Sequence, residues 1–425
     1  MTTNPAPDPA PTGTPVASGS PSASDIPDFP APRSSVCPFA PSPELRALAD
    51  QGPVRRVRSW GDSTPWVVTG HAEQKALLGD PRLSVDFANP GFPSPVDPRN
   101  THAHGERPDL SFVGMDDPEH TRLRRMISGT FTIKRVEALR PAVQRMTDRL
   151  IDDMLAGPDP TDLVQALALP LPSLVISELL GVPYDDHAFF QTNSRTLVST
   201  VATGEQRGNA HKALGDYLDA LIGQKMAEPE DDLLSKLGRH VRDGELTRRE
   251  AATMGVLLLL GGHETTANMI SLGTLLLLHH PDQLAVVRDT DDLQVVVSAV
   301  EELLRYLSIV HLGRRRTALQ DIEVAGRIIS AGEGVILLGE LANRDPLVFD
   351  DPDRLDITRN ARQHQAFGGG THHCIGQPLA RLELQVLYPT LFRRIPTLRA
   401  TLPLEETRFK YDAVIYGLHE LPVTW

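Results

Sequence analysis

Between Phe367 and Gly376 the chain reads Phe-Gly-Gly-Gly-Thr-His-His-Cys-Ile-Gly, which sets one thiol, Cys374, among four glycines and two histidines. Glycine lets backbone enter left-handed conformations and lets a large ligand approach the main chain closely. The run Gln377-Pro378-Leu379-Ala380-Arg381-Leu382 that follows reads as the opening of a helix. A thiol held by loop amides ahead of a helix N-terminus should have a depressed pKa, because both features stabilise negative charge. Taken alone, such a residue can be a nucleophile, a metal ligand or an inert buried hydrophobe.

A second polar group falls where polarity is unfavourable. Ala252 to Leu278 is apolar almost all round, the pattern of a helix that threads a core. Gly261 and Gly262 would each cost it about 1 kcal/mol against alanine. Glu264, Thr265, Thr266 and Asn268 add polar groups in the same buried stretch. Hydroxyls bonded back to helix carbonyls would explain Thr265 and Thr266 one by one, but not the cluster. His263 is assigned to helix packing.

Three further constellations carry charge. Asp117-Pro118-Glu119 is a helix start signal, and the helix it opens puts His120 and Arg124 on one face. Arg122 and Arg125 point elsewhere, as a solvated face or a contact for an acidic partner. Glu302 and Arg305 are three apart, a spacing that on a surface yields an ion pair worth only tenths of a kcal/mol. Arg314, Arg315 and Arg316 precede a strand, Ile322 to Val324, and a tight turn at Gly326. A zinc site built from His372, His373, Cys374 and a distant ligand would lack the spacing of structural zinc modules.

The elements that must position these groups are mostly helical. A short helix over Pro43 to Asp50 precedes two strand-like runs, Val54 to Arg58 and Trp66 to Thr69, that suit a small hairpin sheet. Phe87 to Pro108, rich in Pro, Gly, Asn and His, is expected to be a long loop. From Val136 to Leu246 apolar residues recur at helical spacing, with breaks at Gly181, Pro183 and Gly204. Residues 1–35 are Pro/Ala/Ser-rich and expected to form a disordered tail ahead of a single domain, 36–425.

The 425 residues, 40% of them apolar, can bury a large core. A net charge of −13 speaks against nucleic acid as a general partner. Two cysteines far apart in sequence, Cys37 and Cys374, speak against a disulfide scaffold or a four-thiolate cluster and point to a reducing, cytoplasmic compartment. The apolar stretch Val256 to Leu260 ends at two glycines, short of a membrane span.

Phe367, Gly370, Cys374 and Gly376 fit the spacing Phe-x-x-Gly-x-x-x-Cys-x-Gly, which resembles the haem-thiolate loop of the cytochromes P450. Gly261-Gly262-His263-Glu264-Thr265 resembles that family's oxygen-side helix motif. With the Asp-Pro helix start, Glu302-x-x-Arg305 and the closing Leu421 to Trp425, the resemblance runs from Cys37 onward. It implies a mainly α fold with small β-sheets, the triangular helical prism of the family. It also implies haem b (iron protoporphyrin IX) with Cys374 as axial ligand. His120, Arg124, Arg316 and His372 would meet its propionates, Phe367, Gly368 and Gly376 would shape the loop, and His373 would face away. Arg354 would complete the structural set with Glu302 and Arg305. Gly261, Ile309, Val310 and Ile415 would line a substrate pocket, the Phe87 to Pro108 loop would close over it, and Phe189 to Leu214 would roof it.

The implied activity is insertion of one oxygen atom of O2, by hydroxylation or epoxidation, into a large apolar molecule of macrolide, polyketide, terpenoid or steroid-like type. A thiolate ligand favours cleavage of the O–O bond, and Glu264 and Thr265 would deliver protons. The chain has no Rossmann fingerprint or appended flavin domain. Electrons from NAD(P)H would therefore arrive through an external ferredoxin or flavodoxin and its reductase, to a cytoplasmic monomer. Peroxide-driven oxidation, oxidative coupling and a non-catalytic haem sensor are the alternatives. The Glu264–Thr265 pair argues against the peroxide-driven enzyme and the sensor.

Overall fold

A computed structural model of the protein describes residues 26–31, 33, 37–94 and 111–425. Its axis is the helix Arg248–Leu278, started by a capping box in which Thr247 and Glu250 satisfy each other's backbone amides. This helix is apolar all round because it is covered all round, by the helices Pro170–Leu180, Gly204–Ala227 and Gln377–Arg394. Gly262 is the contact with the first of these: a Cβ there would stand 2.8 Å from Ile176 Cδ1. Midway along it a stripe stays partly uncovered, at Leu257, Gly261 and Thr265, successive residues four apart.

The hairpin expected near the N-terminus forms and is extended by distant chain. Across the sheet the strands run Val54–Arg56, Trp66–Val68, Gly334–Leu337, Arg314–Ala318 and Leu83–Ser84. Pairing is antiparallel except between Trp66–Val68 and Gly334–Leu337. Alternation along Arg314–Ala318 puts Arg314 and Arg316 on one face and Arg315 on the other. The turn between Ile322–Val324 and Arg327–Ile329 has Ala325 and Gly326 both at positive φ, as a two-residue hairpin turn requires. Among the described residues no helix is long and apolar enough to cross a membrane.

Two expectations need correction. Within the expected tail, residues 26–31 and 33 are placed against the fold: Asp28 bridges to Arg58, Phe29 packs with Leu45, Leu48 and Val57, and the Arg33 side chain is 3% exposed. Of the loop expected over Phe87 to Pro108, residues 95–108 lie outside the described ones.

The second correction concerns the ion-pair scaffold. Glu302 and Arg305 are both wholly buried, 2.7 Å apart, and Arg305 Nη1 also donates to the carbonyls of Asn343 and Pro352 at 2.8 Å. The third charged member is Arg359, whose Nε lies 3.2 Å from Glu302 Oε1. Arg354 is 61% exposed and pairs with Asp351 and Asp356; its turn offers the centre backbone carbonyls while its side chain points to solvent. Breaking a buried pair leaves an uncompensated charge. Arg305→Ala should therefore lower stability by about 3–5 kcal/mol, whereas Arg354→Ala should change it by no more than about 1 kcal/mol, as read from urea unfolding.

Candidate active site

The cysteine loop is a glycine construction with little freedom. Gly368 and Gly370 have φ of 73° and 64°, and a Cβ on Gly370 would fall 2.1 Å from the Leu78 carbonyl oxygen. The loop closes on itself where the Cys374 amide donates to the Phe367 carbonyl at 3.0 Å. The helix Gln377–Arg394 then begins at Gly376. Its Arg381 lies 4.6 Å over the Phe367 ring and forks onto Glu301 at 2.5 and 2.9 Å. Glu301 is also 3.0 Å from His364 Nε2, so the start of the loop is braced from two sides.

The depressed thiol expected of Cys374 is not found: burial pushes it up, against the Gly376 backbone hydrogen bond and the charges of Arg314, Arg124 and Arg381. Cys374 is exposed and lines a cavity of about 1560 Å³, counting its mouth. A coordinating thiol is deprotonated outright by its metal.

Across that cavity stands the uncovered stripe of the long helix. Gly261, Thr265, Ile309 and Val310 are on the wall. Thr265 Oγ1 donates back to the Gly261 carbonyl at 2.6 Å, and the helix runs through without a break. Glu264 is not on the wall. It is buried behind the helix, 3.5 Å from Lys410 Nζ, which also donates to Asn268 Oδ1 at 3.0 Å. Lys410 escaped the sequence reading because a lysine between two aromatic residues carries no motif. Ile415 is likewise absent from the wall; its neighbour Tyr416 backs the wall from behind, donating its amide to the Ile309 carbonyl at 2.8 Å.

A group of basic side chains meets the same cavity. Arg124 lines it and donates to the His373 carbonyl at 2.5 Å. The ring of His372 also lines it, 4.1 Å from that of buried His120, whose Nε2 has no partner among the described residues. On the sheet the lining arginine is Arg314, which donates to the Ala366 carbonyl at 2.6 Å; Arg316, two residues on along the same face, is buried off the wall and bonds the Arg315 carbonyl. Residue order alone could not decide between them. His373 is not on the wall, and Arg122 is tied to Glu119 and Glu250 within the fold, which leaves Arg125 as the exposed arginine of that helix.

These basic side chains share one electrostatic condition. Burial, then the charges of His120, Arg316 and Arg124, push His372 down to about 3; burial pushes Arg314 and Arg316 down to about 10. Each shift is of the kind that an anion placed among them would reverse. A planar dianionic group with a metal centre over Cys374 therefore fits the residues present. That is the requirement of a haem-thiolate protein.

Comparison with known proteins agrees. The family description Cytochrome P450 matches residues 90–397. Cytochrome P450 GfsF of Streptomyces halstedii is 51% identical over 410 residues, covering 95% of this chain and 97% of that one. Cytochrome P450 CYP105Q4 of Mycobacterium marinum is 52% identical over 412 residues, covering 96% and 99%. The crystal structure of MycCI from Micromonospora griseorubida, a mycinamicin VIII C21 methyl hydroxylase bound to mycinamicin VIII, matches with a TM-score of 0.86 at 38% identity, over 94% of this chain and 100% of that one. The chain belongs to the cytochrome P450 family and is a haem-dependent monooxygenase of the bacterial type.

The brace under the loop has a pH signature. Burial raises the Glu301 carboxyl, but His364 and Arg381 outweigh it and hold it at about 2, against an ordinary 4.5. A carboxyl depressed on folding stabilises the protein above its unfolded pKa, and this contribution is lost as pH falls through the folded one. Glu301→Gln should remove on the order of 3 kcal/mol of acid-dependent stability between about pH 5 and 2, as measured by denaturation at stepped pH.

Proposed function

We propose that this monooxygenase inserts one oxygen atom of O2 into a large apolar natural product of macrolide or polyketide type, drawing electrons from an external ferredoxin and reductase in the cytoplasm. One observation carries this reading: the uncovered Leu257–Gly261–Thr265 stripe faces Cys374 across a cavity with otherwise mostly apolar walls, including Ile176, Leu258, Ile309 and Val310. MycCI, similar over nearly the whole chain, has mycinamicin VIII bound.

Haem bound at Cys374 supplies dioxygen activation, which a thiolate ligand favours. The other tasks fall to side chains. Arg124, Arg314 and His372, with His120 and Arg316 behind them, hold the carboxylates. Phe367, Gly368 and Gly376 keep the loop in the form that aims the sulfur at the cavity. Thr265 holds its hydroxyl proton against the Gly261 carbonyl at the cavity edge, where a turn of one side-chain torsion presents it to the reacting oxygen. Glu264, next in the helix, passes a proton taken from water to that hydroxyl as it gives up its own, and Lys410, which also bonds Asn268, holds the carboxylate in place. The apolar wall excludes water and orients the substrate.

Cys374→Ser should abolish the red-shifted Soret band of the ferrous carbon monoxide complex that thiolate ligation produces; its persistence would remove the ligand assignment. In Thr265→Ala, NAD(P)H should still be consumed while product per NAD(P)H falls at least about tenfold, the lower side of what general-acid groups contribute, with hydrogen peroxide released instead. Unchanged coupling would sink the proton-delivery role.

A further inference from the structure

Arg33 comes from the Pro-rich stretch ahead of the first helix, yet its guanidinium ends beside the wall of the site. Nη2 lies 3.0 Å from Glu340 Oε2 and donates to the Ser308 carbonyl at 3.1 Å, and Cζ stands 4.1 Å over the Tyr416 ring. Those three partners belong to three separate pieces of the cavity surround.

Ser308 ends the helix Leu293–Leu307 in a left-handed conformation, φ 42°, and runs directly into Ile309 and Val310 on the wall. A serine holds such a conformation only where its surroundings over-determine it. Its hydroxyl is fixed between the Arg305 carbonyl and Asn343 Nδ2, at 3.1 and 2.9 Å, and Arg33 fixes its carbonyl. Glu340 lines the cavity and is wholly enclosed; burial raises its carboxyl, and Arg33 is the nearest of the guanidiniums that oppose this. Tyr416 is joined to Ile309 through its amide and to the Pro38 carbonyl through its hydroxyl, at 2.8 and 2.9 Å. Arg33 Nη2 thus stands against both the strained Ser308 carbonyl and the buried Glu340 carboxylate while the flat guanidinium lies over the Tyr416 ring, a stacking that an ammonium does not reproduce.

We infer that Arg33 is a positioning residue for substrate selection: by pinning Ser308 to Glu340 and Tyr416 it sets where Ile309 and Val310 stand, so that the N-terminal segment shapes the pocket from outside. This rests on the reading of that cavity as the substrate pocket.

The test uses full-length, haem-loaded protein and two ligands read by their optical shifts. Imidazole needs little beyond the iron, whereas clotrimazole also fills the space beside the wall. Arg33→Ala should change the clotrimazole Kd about tenfold and leave that of imidazole within about twofold. Arg33→Lys, which keeps the charge and loses the planar stacking on Tyr416, should fall between. If the unpaired Glu340 makes Arg33→Ala fold poorly, Arg33→Ala with Glu340→Gln removes both charges and should show the same split. An equal change for both ligands would reveal general loosening and overturn the inference, as would wild-type clotrimazole binding in all the variants. Ile309→Trp separates the two levels: if it weakens clotrimazole while the Arg33 variants do not, the pocket stands and the role of Arg33 falls. If Ile309→Trp has no effect either, the pocket reading fails with it.

Discussion

Two adjacent carboxylates on one helix hold this structure around its site. Buried charge is tolerated only where an opposite charge meets it with good geometry, and Glu301 and Glu302 satisfy that condition in opposite directions. Glu302 gathers Arg305 and Arg359 and, through Arg305, the carbonyls of Asn343 and Pro352. Glu301 gathers His364 and Arg381, which between them frame Phe367 at the head of the cysteine loop. The sulfur is placed by a loop whose glycines take left-handed turns, and the head of that loop is braced by these charges.

The long helix meets this assembly from the other side and serves two environments at once. Its cavity face is small and open at Gly261 and Thr265, while the residue between the ends of that turn, Glu264, is turned to the far side and held by Lys410. Successive residues of an α-helix point about 100° apart, so an acid and an alcohol next to each other cannot share one face. The arrangement keeps a carboxylate out of an apolar pocket, where it would be poorly solvated, and still within one residue of the hydroxyl that faces the reaction.

The wall of the pocket is assembled from chain ends. Ser308 to Val310 follow the Glu302 helix, Tyr416 lies near the C-terminus and Arg33 near the N-terminus, and hydrogen bonds join the three. These contacts span much of the chain.

What the sequence by itself determined was local. The Phe367 to Gly376 loop, the helix start at Asp117-Pro118, the all-round apolar helix with its polar notch and the Glu302–Arg305 spacing are each properties of a few consecutive residues. Short-range periodicity and turn chemistry encode such features directly. Only the tertiary structure decided which partner each charge found. It chose Arg359 over Arg354 for Glu302, set Arg314 rather than Arg316 on the wall, sent Glu264 to Lys410, moved Ile415 off the pocket and drew Arg33 out of an apparent tail. It also reversed the expected direction of the Cys374 thiol, because burial there outweighs the backbone hydrogen bond and the nearby guanidiniums. Pairing and burial depend on which distant segments come together, and residue spacing along the chain carries no record of that.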